Sequence, residues 1–262
     1  VCSSDLLCLD IGNTHIFGGV FSQDKLILRF RHVTQPLGTS DQFGIFLINL
    51  LQAHNVVLSK IKGVAVSSVV PSCDFTIQHT IQQYFSDADL FILKAGVKTG
   101  LNVRYQPSTA VGSDRIANSI GAMELFPKKN IIMVDMGTAT TIDIVTENQD
   151  YIGGAIMPGM RLAMEALSNN TAKLLAVNIE APPTFIGRTT VDSIQSGLYF
   201  GTLGAIKELI QGMKAEIFAE QASFVLGTGG FSQLFKNRGI FDYLVPDLVL
   251  IGLKKAYYYS RK

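Results

Sequence analysis

The chain lacks the cysteine arrangements that mark disulfide scaffolds and zinc sites. Its 262 residues include three cysteines, Cys2, Cys8 and Cys73, and their positions show no paired spacing. Cys8 falls in a predicted buried strand, where a reduced thiol acts as a small apolar group. We therefore expect a chain of a reducing compartment and a cytoplasmic location.

Several motifs of known binding and catalytic sites are also missing. The histidines His15, His32, His54 and His79 have no metal-ligand spacing, and no nucleophile elbow or Walker A sequence occurs. The glycine-rich segment Gly227–Gly230 follows a predicted strand, but it fails the dinucleotide fingerprint because Ser232 stands at the last required position. Any nucleotide must therefore be bound by loops other than a P-loop.

Long apolar runs and concentrated charge are absent as well. No run reaches the ~18 residues that a membrane-spanning helix needs, and no signal-peptide pattern precedes the first predicted strand. Net charge is +1, with lysine and arginine scattered along the chain. We expect neither a membrane nor a nucleic acid as partner, because phosphate-backbone binding usually needs a concentrated basic face.

What the chain does contain is an alternation of strands and helices that occurs twice. Hydrophobic residues make up 47% of the sequence, enough for a sizeable core. In the first half, apolar and β-branched runs predict strands at 6–12, 16–21, 25–33, 64–66 and 90–93. Helical spacing predicts a helix from Ser40, one at 72–85, and one capped by Pro107-Ser108 that continues to about residue 126.

The second half repeats this order. Strands are predicted at 131–136, 140–146, 151–156 and 224–226, with a long helix at 190–219 and terminal helices after Ser232 and Pro246. Three strands followed by alternating helices and strands, twice over, predict two mixed-sheet α/β domains. We place the first domain at residues 1–126 and the second at 127–262, with the boundary near Pro127.

Two turns at matching places in the two halves carry the first candidate chemistry. Asp10 and Asp135 each end an apolar run and are followed within two residues by Gly12 or Gly137. Such a turn can aim backbone N–H groups at phosphate oxygens. A carboxylate beside phosphates needs a cation between them, so Asp10 is a candidate Mg²⁺ ligand, directly or through water. An ordinary hairpin turn is the alternative, since Asp and Asn tolerate turn geometry.

The second turn is rich in threonine. Thr138, Thr140 and Thr141 follow Gly137, and hydroxyl groups at this density suit phosphate or ion coordination, although threonine also favours strands. Asp143 alternates with two isoleucines and is compatible with a solvent-facing strand position. The repetition of the turn favours a polyphosphate held from both sides.

A third candidate site, Gly112–Arg115, occurs only once. Asp114 and Arg115 are adjacent, so on a helix their side chains diverge by about 100°. One could face a substrate hydroxyl and the other an anion, and a carboxylate near a hydroxyl nucleophile is a candidate general base. The alternative is a charged pair in the early turns of a helix, where Asp favours the helix dipole.

The predicted long helix also carries a strip of small residues, Gly197, Gly201, Gly204 and Ala205. We expect close helix packing along this strip, either in the core or across a dimer.

Together these segments resemble type III pantothenate kinases of the acetate and sugar kinase, Hsp70 and actin superfamily. The resemblance rests on four segments in order: Asp10–Thr14, Gly112–Arg115, Asp135–Thr141 and Thr190–Gly197. It implies a duplicated fold of two ribonuclease H-like domains with ATP in the cleft between them. It also implies ATP-dependent phosphorylation of pantothenate, the first step of coenzyme A biosynthesis, by a homodimeric enzyme.

The resemblance also implies roles for individual residues. Thr138 contacts ATP, and Asp135 holds a monovalent cation, K⁺ or NH₄⁺. Asp114 is the proton acceptor. The first phosphate loop consists of Asp10, Ile11, Gly12, Asn13, Thr14, His15, Ile16 and Phe17. The residues that bind pantothenate are Tyr105, Gly112, Ser113, Asp114, Arg115 and Thr190.

Two departures from the family pattern affect these expectations. His15, Ile16 and Phe17 stand where small or polar residues are common, so the first loop is expected to make fewer side-chain contacts to phosphate. Phe231 stands where a smaller residue is expected on the adenine side.

Two other functions fit the same residues. One is a kinase or phosphatase of the same fold that acts on another small hydroxylated substrate. The other is a non-catalytic nucleotide sensor that serves as an accessory factor in transcription. The joint presence of Asp10, Asp114 and Asp135 favours the kinase, because a protein that only senses nucleotide has no need of all three.

Overall fold

The computed structural model describes residues 4–219 and 221–261, and the chain divides into two compact units. Unit 1 comprises residues 1–101, 105–125 and 248–262, and unit 2 comprises residues 102–104 and 126–247. The last helix thus belongs to unit 1, although it follows the whole of unit 2 in sequence. The predicted separation at residues 126 and 127 falls where the chain passes from unit 1 into unit 2, and the two-domain assignment stays a prediction.

Unit 1 is built on a five-stranded mixed sheet in the order β3-β2-β1-β4-β5. The neighbours β1/β2 and β2/β3 are antiparallel, whereas β1/β4 and β4/β5 are parallel. The antiparallel meander follows from the short turns between the first three apolar runs. The strands are β1 (Asp5–Ile11), β2 (His15–Ser22), β3 (Lys25–Val33), β4 (Ile61–Ser68) and β5 (Asp89–Leu93).

Four helices pack on the sheet of unit 1: α1 (Ser40–Ala53), α2 (Pro71–Tyr84), α3 (Ser113–Leu125) and α6 (Leu248–Tyr259). The apolar faces of α1 and α2 form one core with alternate side chains of the sheet, such as Leu7, Leu9 and Ile11. Helix α6 packs on the other side of the sheet, where Leu250 approaches Gly19. Helices α3 and α6 cross closely, because a Cβ on Gly252 would overlap the carbonyl oxygen of Ala117.

Unit 2 has a six-stranded sheet in the order β11-β10-β7-β8-β9-β6. Strand β8 is antiparallel to both of its neighbours, β7 and β9. Strand β10 is parallel to β7 and to β11, and β6 is parallel to β9. The strands are β6 (Asn102–Val103), β7 (Asn130–Met136), β8 (Ala139–Val145), β9 (Asp150–Pro158), β10 (Ser223–Thr228) and β11 (Tyr243–Leu244). Helix α5 (Thr190–Met213) covers the core of this sheet with Ile194, Leu198 and Ile206, and α4 is Met160–Asn169.

The duplication expected from the sequence is present in the strand order. Strands β9, β8, β7, β10 and β11 of unit 2 follow the same order and the same directions as β3, β2, β1, β4 and β5 of unit 1. Both β1 and β7 have seven residues, and Asp10 and Asp135 stand at the same position, one residue before the strand ends. The predicted equivalence of the two Asp-x-Gly turns is confirmed at the level of topology.

Several predicted boundaries are corrected by the structure. The helix expected from Pro107-Ser108 begins instead at Ser113, because residues 108–110 form a separate 3₁₀ turn and Val111 is extended. The long helix ends at Met213, and a π-helical turn follows over Lys214–Phe218. The segment after Ser232 is a 3₁₀ turn rather than a longer helix.

The prediction that Cys8 is buried in a strand is confirmed. Cys8 and Cys73 are free and buried, and burial raises the pKa of the Cys8 thiol far above its ordinary value, which leaves it a small apolar group. Cys2 lies outside the described residues. Strand β1 begins at Asp5, one residue before the predicted start of that strand at residue 6. In the described part of the chain, no helix is both long and apolar enough to cross a bilayer.

Candidate active site

The first candidate turn, residues 12–14, joins β1 to β2 and is held in shape by the end of β3. The N–H of Gly12 donates to the carbonyl of His15 at 3.1 Å. Thr34, which is buried, donates its Oγ1 to the carbonyl of Gly12 at 2.6 Å and its N–H to the carbonyl of Thr14 at 3.1 Å. Thr34 thus occupies two backbone acceptors of the turn, which favours a fixed conformation before any ligand arrives.

Asp10 is oriented by a neighbour that the sequence pattern did not reveal. In the parallel pairing of β1 with β4, Asp10 stands opposite Ser67. The Oγ of Ser67, which is fully buried, donates to Oδ1 of Asp10 at 2.5 Å. A hydroxyl donor to an ionised carboxylate is a strong, charge-assisted hydrogen bond, so the Asp10 carboxylate has a defined position at the strand end.

The next residue of β4, Ser68, ties the strand end to the start of α3. Its N–H donates to Oγ of Ser113 at 3.0 Å, and the same hydroxyl donates to the carbonyl of Ser68 at 2.9 Å. Ser67 therefore contacts Asp10, while Ser68 contacts the residue before Asp114. The structure in this way brings the first turn and the Gly112–Arg115 motif into one region of unit 1.

Asp114 lies in the first turn of α3, with one carboxylate oxygen fixed. The N–H of Arg115 donates to Oδ1 of Asp114 at 2.7 Å. A Cβ on Gly112 would lie 2.5 Å from the same oxygen, so glycine is required for the carboxylate to fold back over the backbone. The positive end of the helix dipole stabilises the negative charge there. Arg115 is only 7% exposed, so its guanidinium is held within the protein.

The second candidate turn has a different environment, in unit 2. Asp135 on β7 stands opposite Thr141 on β8 and opposite Thr228 on β10, which occupies the position that Ser67 has in unit 1. Two hydroxyl-bearing residues thus flank one carboxylate on neighbouring strands. Oxygen donors of this kind are what hard cations prefer, so the donor set fits a cation at Asp135.

Backbone from two other segments lies close against this turn. Gly229 has φ +83°, and a Cβ there would lie 2.5 Å from the nitrogen of Met136 and closer still to Oδ1 of Asp135. A Cβ on Gly159 would overlap the carbonyl oxygens of Gly137 and Thr138. The two glycines form a backbone cradle around residues 135–138, and Gly229 needs its left-handed conformation to do so.

The remaining predicted site residues lie on other elements. Thr138 is exposed at the tip of the β7/β8 turn. Thr190 is exposed as the first residue of α5, whose N-terminus is capped by the hydroxyl of Thr189. Tyr105 is half-buried in the segment of unit 1 that leads to α3. Their substrate contacts stay predictions.

One expectation is wrong, because Asp143 does not face solvent. It is 3% exposed, and the hydroxyl of the fully buried Tyr151 donates to its Oδ1 at 2.7 Å. Strand alternation indicated which face Asp143 occupies but not that this face is covered. A buried carboxylate needs such a donor, and Tyr151 on β9 supplies it.

The described residues offer no complete protein-only metal site. Among them, no group of three or more His, Cys, Asp or Glu side chains is arranged to hold a metal ion. Mg²⁺ usually binds through one or two carboxylates together with substrate phosphates and water. A single carboxylate such as Asp10, at the end of β1 beside the turn at residues 12–14, fits a metal that arrives with a nucleotide.

Comparison with known proteins decides the family. The model of the type III pantothenate kinase family matches residues 6–212. Type III pantothenate kinase of Legionella pneumophila is 50% identical over 251 residues, which cover 96% of this chain and 97% of the relative. That of Elusimicrobium minutum is 43% identical over 251 residues, with the same coverage. The chain belongs to the type III pantothenate kinase family.

Solved structures agree on the fold of this type III pantothenate kinase family member. A Campylobacter jejuni protein described as a Baf family transcriptional activator aligns over 96% of this chain and 97% of its own, with a TM-score of 0.61 and 23% identity. The activator of 2-hydroxyisocaproyl-CoA dehydratase from Clostridium difficile, solved with bound ADPNP, aligns over 98% and 94% with a TM-score of 0.52 and 15% identity. MreB5 of Spiroplasma citri, solved with ADP, gives 0.51 at 10% identity over 97% and 96%. At these identities the likeness establishes the actin-like ATPase fold alone.

Proposed function

We propose that this chain catalyses ATP-dependent phosphorylation of pantothenate to 4′-phosphopantothenate, the first step of coenzyme A biosynthesis. The observation that carries the proposal is the match to the pantothenate kinase family over residues 6–212, with relatives at 43–50% identity over nearly the whole chain. The site supports it with a carboxylate, Asp114, fixed at the start of α3 in the same region of unit 1 as the Asp10 turn. Phosphoryl transfer needs mainly positioning and charge stabilisation. Hydrogen bonds hold both the Asp10 turn and the start of α3 in place.

Within this proposal, Asp114 accepts the proton of the pantothenate hydroxyl as that oxygen attacks the γ-phosphorus. The hydrogen bond from the N–H of Arg115 holds one carboxylate oxygen, and Gly112 leaves the space that this position requires. Ser113 fixes the helix start against β4. Gly112, Ser113, Arg115, Tyr105 and Thr190 complete the proposed pantothenate contacts.

ATP with a divalent metal ion is the phosphoryl donor of this family. We assign the phosphates to residues 10–17 and a further ATP contact to Thr138. Asp10, oriented by Ser67, would hold Mg²⁺ directly or through water, and the metal would offset charge on the β- and γ-phosphates. Residues 12–14 contribute a turn whose shape Thr34 maintains.

We assign a monovalent cation, K⁺ or NH₄⁺, to Asp135. The support is the oxygen-rich surroundings of this carboxylate, with Thr141 and Thr228 on either side and the backbone of Gly229 against it. The cation would add positive charge in a chain that has no P-loop lysine.

The cation assignment predicts a difference between salts. Replacing K⁺ by Na⁺ in the wild-type assay should lower kcat by about tenfold or more, which corresponds to ~1.4 kcal/mol in activation free energy. Asp135→Asn should remove most of the difference between K⁺ and Na⁺, because the amide carries no charge to hold the ion. Initial rates at matched ionic strength test this. Equal wild-type rates in the two salts would leave the kinase but overturn the role of Asp135.

We also infer that the enzyme is a homodimer that uses the exposed face of α5. Gly197, Gly201 and Gly204 are exposed at helical spacing, and a Cβ at each would have no described atom within 4 Å apart from its chain neighbours and the backbone of its own helix. Packing within the described part of the chain therefore does not explain why small residues occupy this strip of the helix surface. Unit 2 also exposes several large apolar side chains, namely Leu162, Leu167, Leu175, Phe185, Ile186 and Val191.

Gly201→Glu tests the dimer. The variant should be folded, because the position is open in the single chain, but it should be monomeric, because a charged side chain would be forced into a close helix contact. Light scattering after gel filtration gives the mass, and circular dichroism checks folding. Gly201→Ala serves as the conservative comparison, since on an open helix surface alanine should stabilise by ~1 kcal/mol. A monomeric wild type, or an unchanged dimer in Gly201→Glu, would contradict the inference.

Substrate choice is tested with a panel of acceptors. Wild-type protein, ATP, Mg²⁺ and K⁺ are incubated with pantothenate or with other small hydroxylated compounds, including sugars and acetate, and ADP release is measured. We expect kcat/KM to be highest for pantothenate. A clearly higher value for another acceptor would instead favour a different kinase of the same fold.

A further inference from the structure

Arg31 on β3 extends over the ring of Phe17, inside the proposed phosphate-binding segment. The carbon of its guanidinium lies 4.7 Å from the ring centroid, which is the geometry of a cation–π contact. Arg31 is exposed, and no carboxylate among the described residues forms an ion pair with it. Within the described part of the chain, Arg31 is therefore a cation that contacts an aromatic ring and has no acidic partner.

Strand register places this cation on the same side of the sheet as Asp10. Asp10 pairs with Phe17, and Phe17 pairs with Arg31, so the three residues form one row across β1, β2 and β3. Residues directly opposite each other in antiparallel strands point to the same face. Ser67, which pairs with Asp10 on the far side of β1 and donates to its carboxylate, extends the row to β4.

Strand pairing also brings the end of β3 close to the first turn. Phe17 lies on the strand between Arg31 and Asp10, so the cation–π contact keeps the guanidinium beside the row that contains Asp10. The end of β3 approaches the turn itself, because His15 pairs with Val33 and Thr34 binds the carbonyl of Thr14. A phosphate bound at residues 12–14 would have Asp10 and Arg31 as charged neighbours in one row.

We propose that Arg31 is a further ATP-binding residue, which contacts the polyphosphate and is positioned for it by Phe17. This rests on the proposed function only in placing the phosphates at residues 10–17. Guanidinium groups bind phosphate through paired N–H donors, and stacking on an aromatic ring holds the planar group in place. The chain has no P-loop lysine, and an arginine at this position supplies part of the missing charge. The same pair gives Phe17 a function, although an apolar side chain there makes no polar contact to phosphate.

The competing explanation is that Arg31 only protects an edge. Strand β3 is the outer strand of its sheet, and charged side chains on edge strands discourage pairing with other chains. Lys25, near the other end of the same strand, offers a control because it is also exposed and cationic, and the register shift between the two residues places it on the opposite face of the sheet. It is six residues from Arg31, or about 20 Å along the strand.

Calorimetric titration of the full-length protein with MgATP and with adenosine separates the two explanations. We expect Arg31→Gln to weaken ATP binding by about tenfold and to leave adenosine binding unchanged, since one charge-assisted contact to phosphate is lost. Arg31→Lys should restore part of the affinity, and Phe17→Leu should give an intermediate loss because the guanidinium loses its support. Lys25→Gln should bind ATP as the wild type does.

Arg31→Gln with wild-type affinity for ATP, or with an equal loss for adenosine, would overturn the proposal. So would an equal loss of ATP affinity in Lys25→Gln, which would indicate a general charge effect. The result of this ATP-binding experiment does not depend on whether the proposed kinase function is correct. A wild type that binds ATP but does not phosphorylate pantothenate would refute the function and leave the comparison of variants valid.

Discussion

Asp114→Asn is expected to lower kcat for pantothenate phosphorylation by about 10²–10⁴-fold, the usual contribution of a general base. The amide is the same size as the carboxylate and can still accept the hydrogen bond from the N–H of Arg115, which holds Oδ1 at 2.7 Å. The geometry of the helix start should therefore survive while the proton acceptor is lost. ATP affinity, measured separately by titration, should stay close to that of the wild type.

The chain supplies a matched control for this variant. Asp41 is the second residue of α1, as Asp114 is of α3, and each follows a serine that begins its helix. Asp41 also has a hydrogen-bonded carboxylate, which accepts from the hydroxyl of Tyr84 at 2.6 Å and from the amide of Gln83. Asp41→Asn should leave kcat near the wild-type value. If the two variants lowered kcat equally, Asp114 would be a helix-start residue and not the base.

Gly229→Ala is expected to have the second largest effect, on both stability and activity. At φ +83° an alanine is strained, and its Cβ would approach the nitrogen of Met136 and Oδ1 of Asp135 too closely. We expect a loss of ~2 kcal/mol, from the strained conformation and the displaced carboxylate. In a chain of this size that lowers Tm by roughly 4–8 °C. The difference between rates in K⁺ and Na⁺ should shrink as well, because Asp135 is moved.

The adjacent glycine is the natural comparison. A Cβ on Gly230 would have no described atom within 4 Å apart from its chain neighbours, and the backbone of this residue is outside the left-handed region. Gly230→Ala should therefore keep both the wild-type Tm and the response to K⁺. The two variants, Gly229→Ala and Gly230→Ala, are compared by thermal unfolding followed by circular dichroism and by reaction rates in K⁺ and in Na⁺. Similar behaviour of the two variants would mean that Gly229 does not shape the Asp135 site.

The sequence was most informative where the residues of a candidate site also mark a local structural feature, such as the end of a strand or a turn. Asp10 and Asp135 could be found because each ends an apolar run before a glycine, and the structure places them at equivalent positions in two sheets of the same order. Gly112 could be found as part of a motif, and the reason for it is now physical, since any Cβ would displace Oδ1 of Asp114.

Residues that act through strand pairing could not be found in this way. Ser67 reaches Asp10 only because β1 and β4 pair in parallel, although the two residues are 57 positions apart in sequence. Arg31 reaches Phe17 only through the register of β2 and β3. Neither contact leaves a local spacing in the sequence that could reveal it.

The wrong boundary of α3 has a similar cause. Pro107-Ser108 is a good helix-start signal, and it does begin a 3₁₀ turn over Ser108–Ala110. The helix proper begins at Ser113 because the hydroxyl of that residue is held by Ser68 of β4. A contact between distant parts of the chain thus places the start of α3, and with it Asp114, beside the strand that orients Asp10.

The most direct test of the proposed function is the formation of phosphopantothenate by the purified wild-type chain. Protein, ATP, Mg²⁺, K⁺ and pantothenate are incubated together, and the product is identified by its mass, with Asp114→Asn as the parallel sample. We expect 4′-phosphopantothenate and an equal amount of ADP from the wild type, and almost none of either product from the variant. Folded wild-type protein that forms no phosphopantothenate under these conditions would contradict the proposed function.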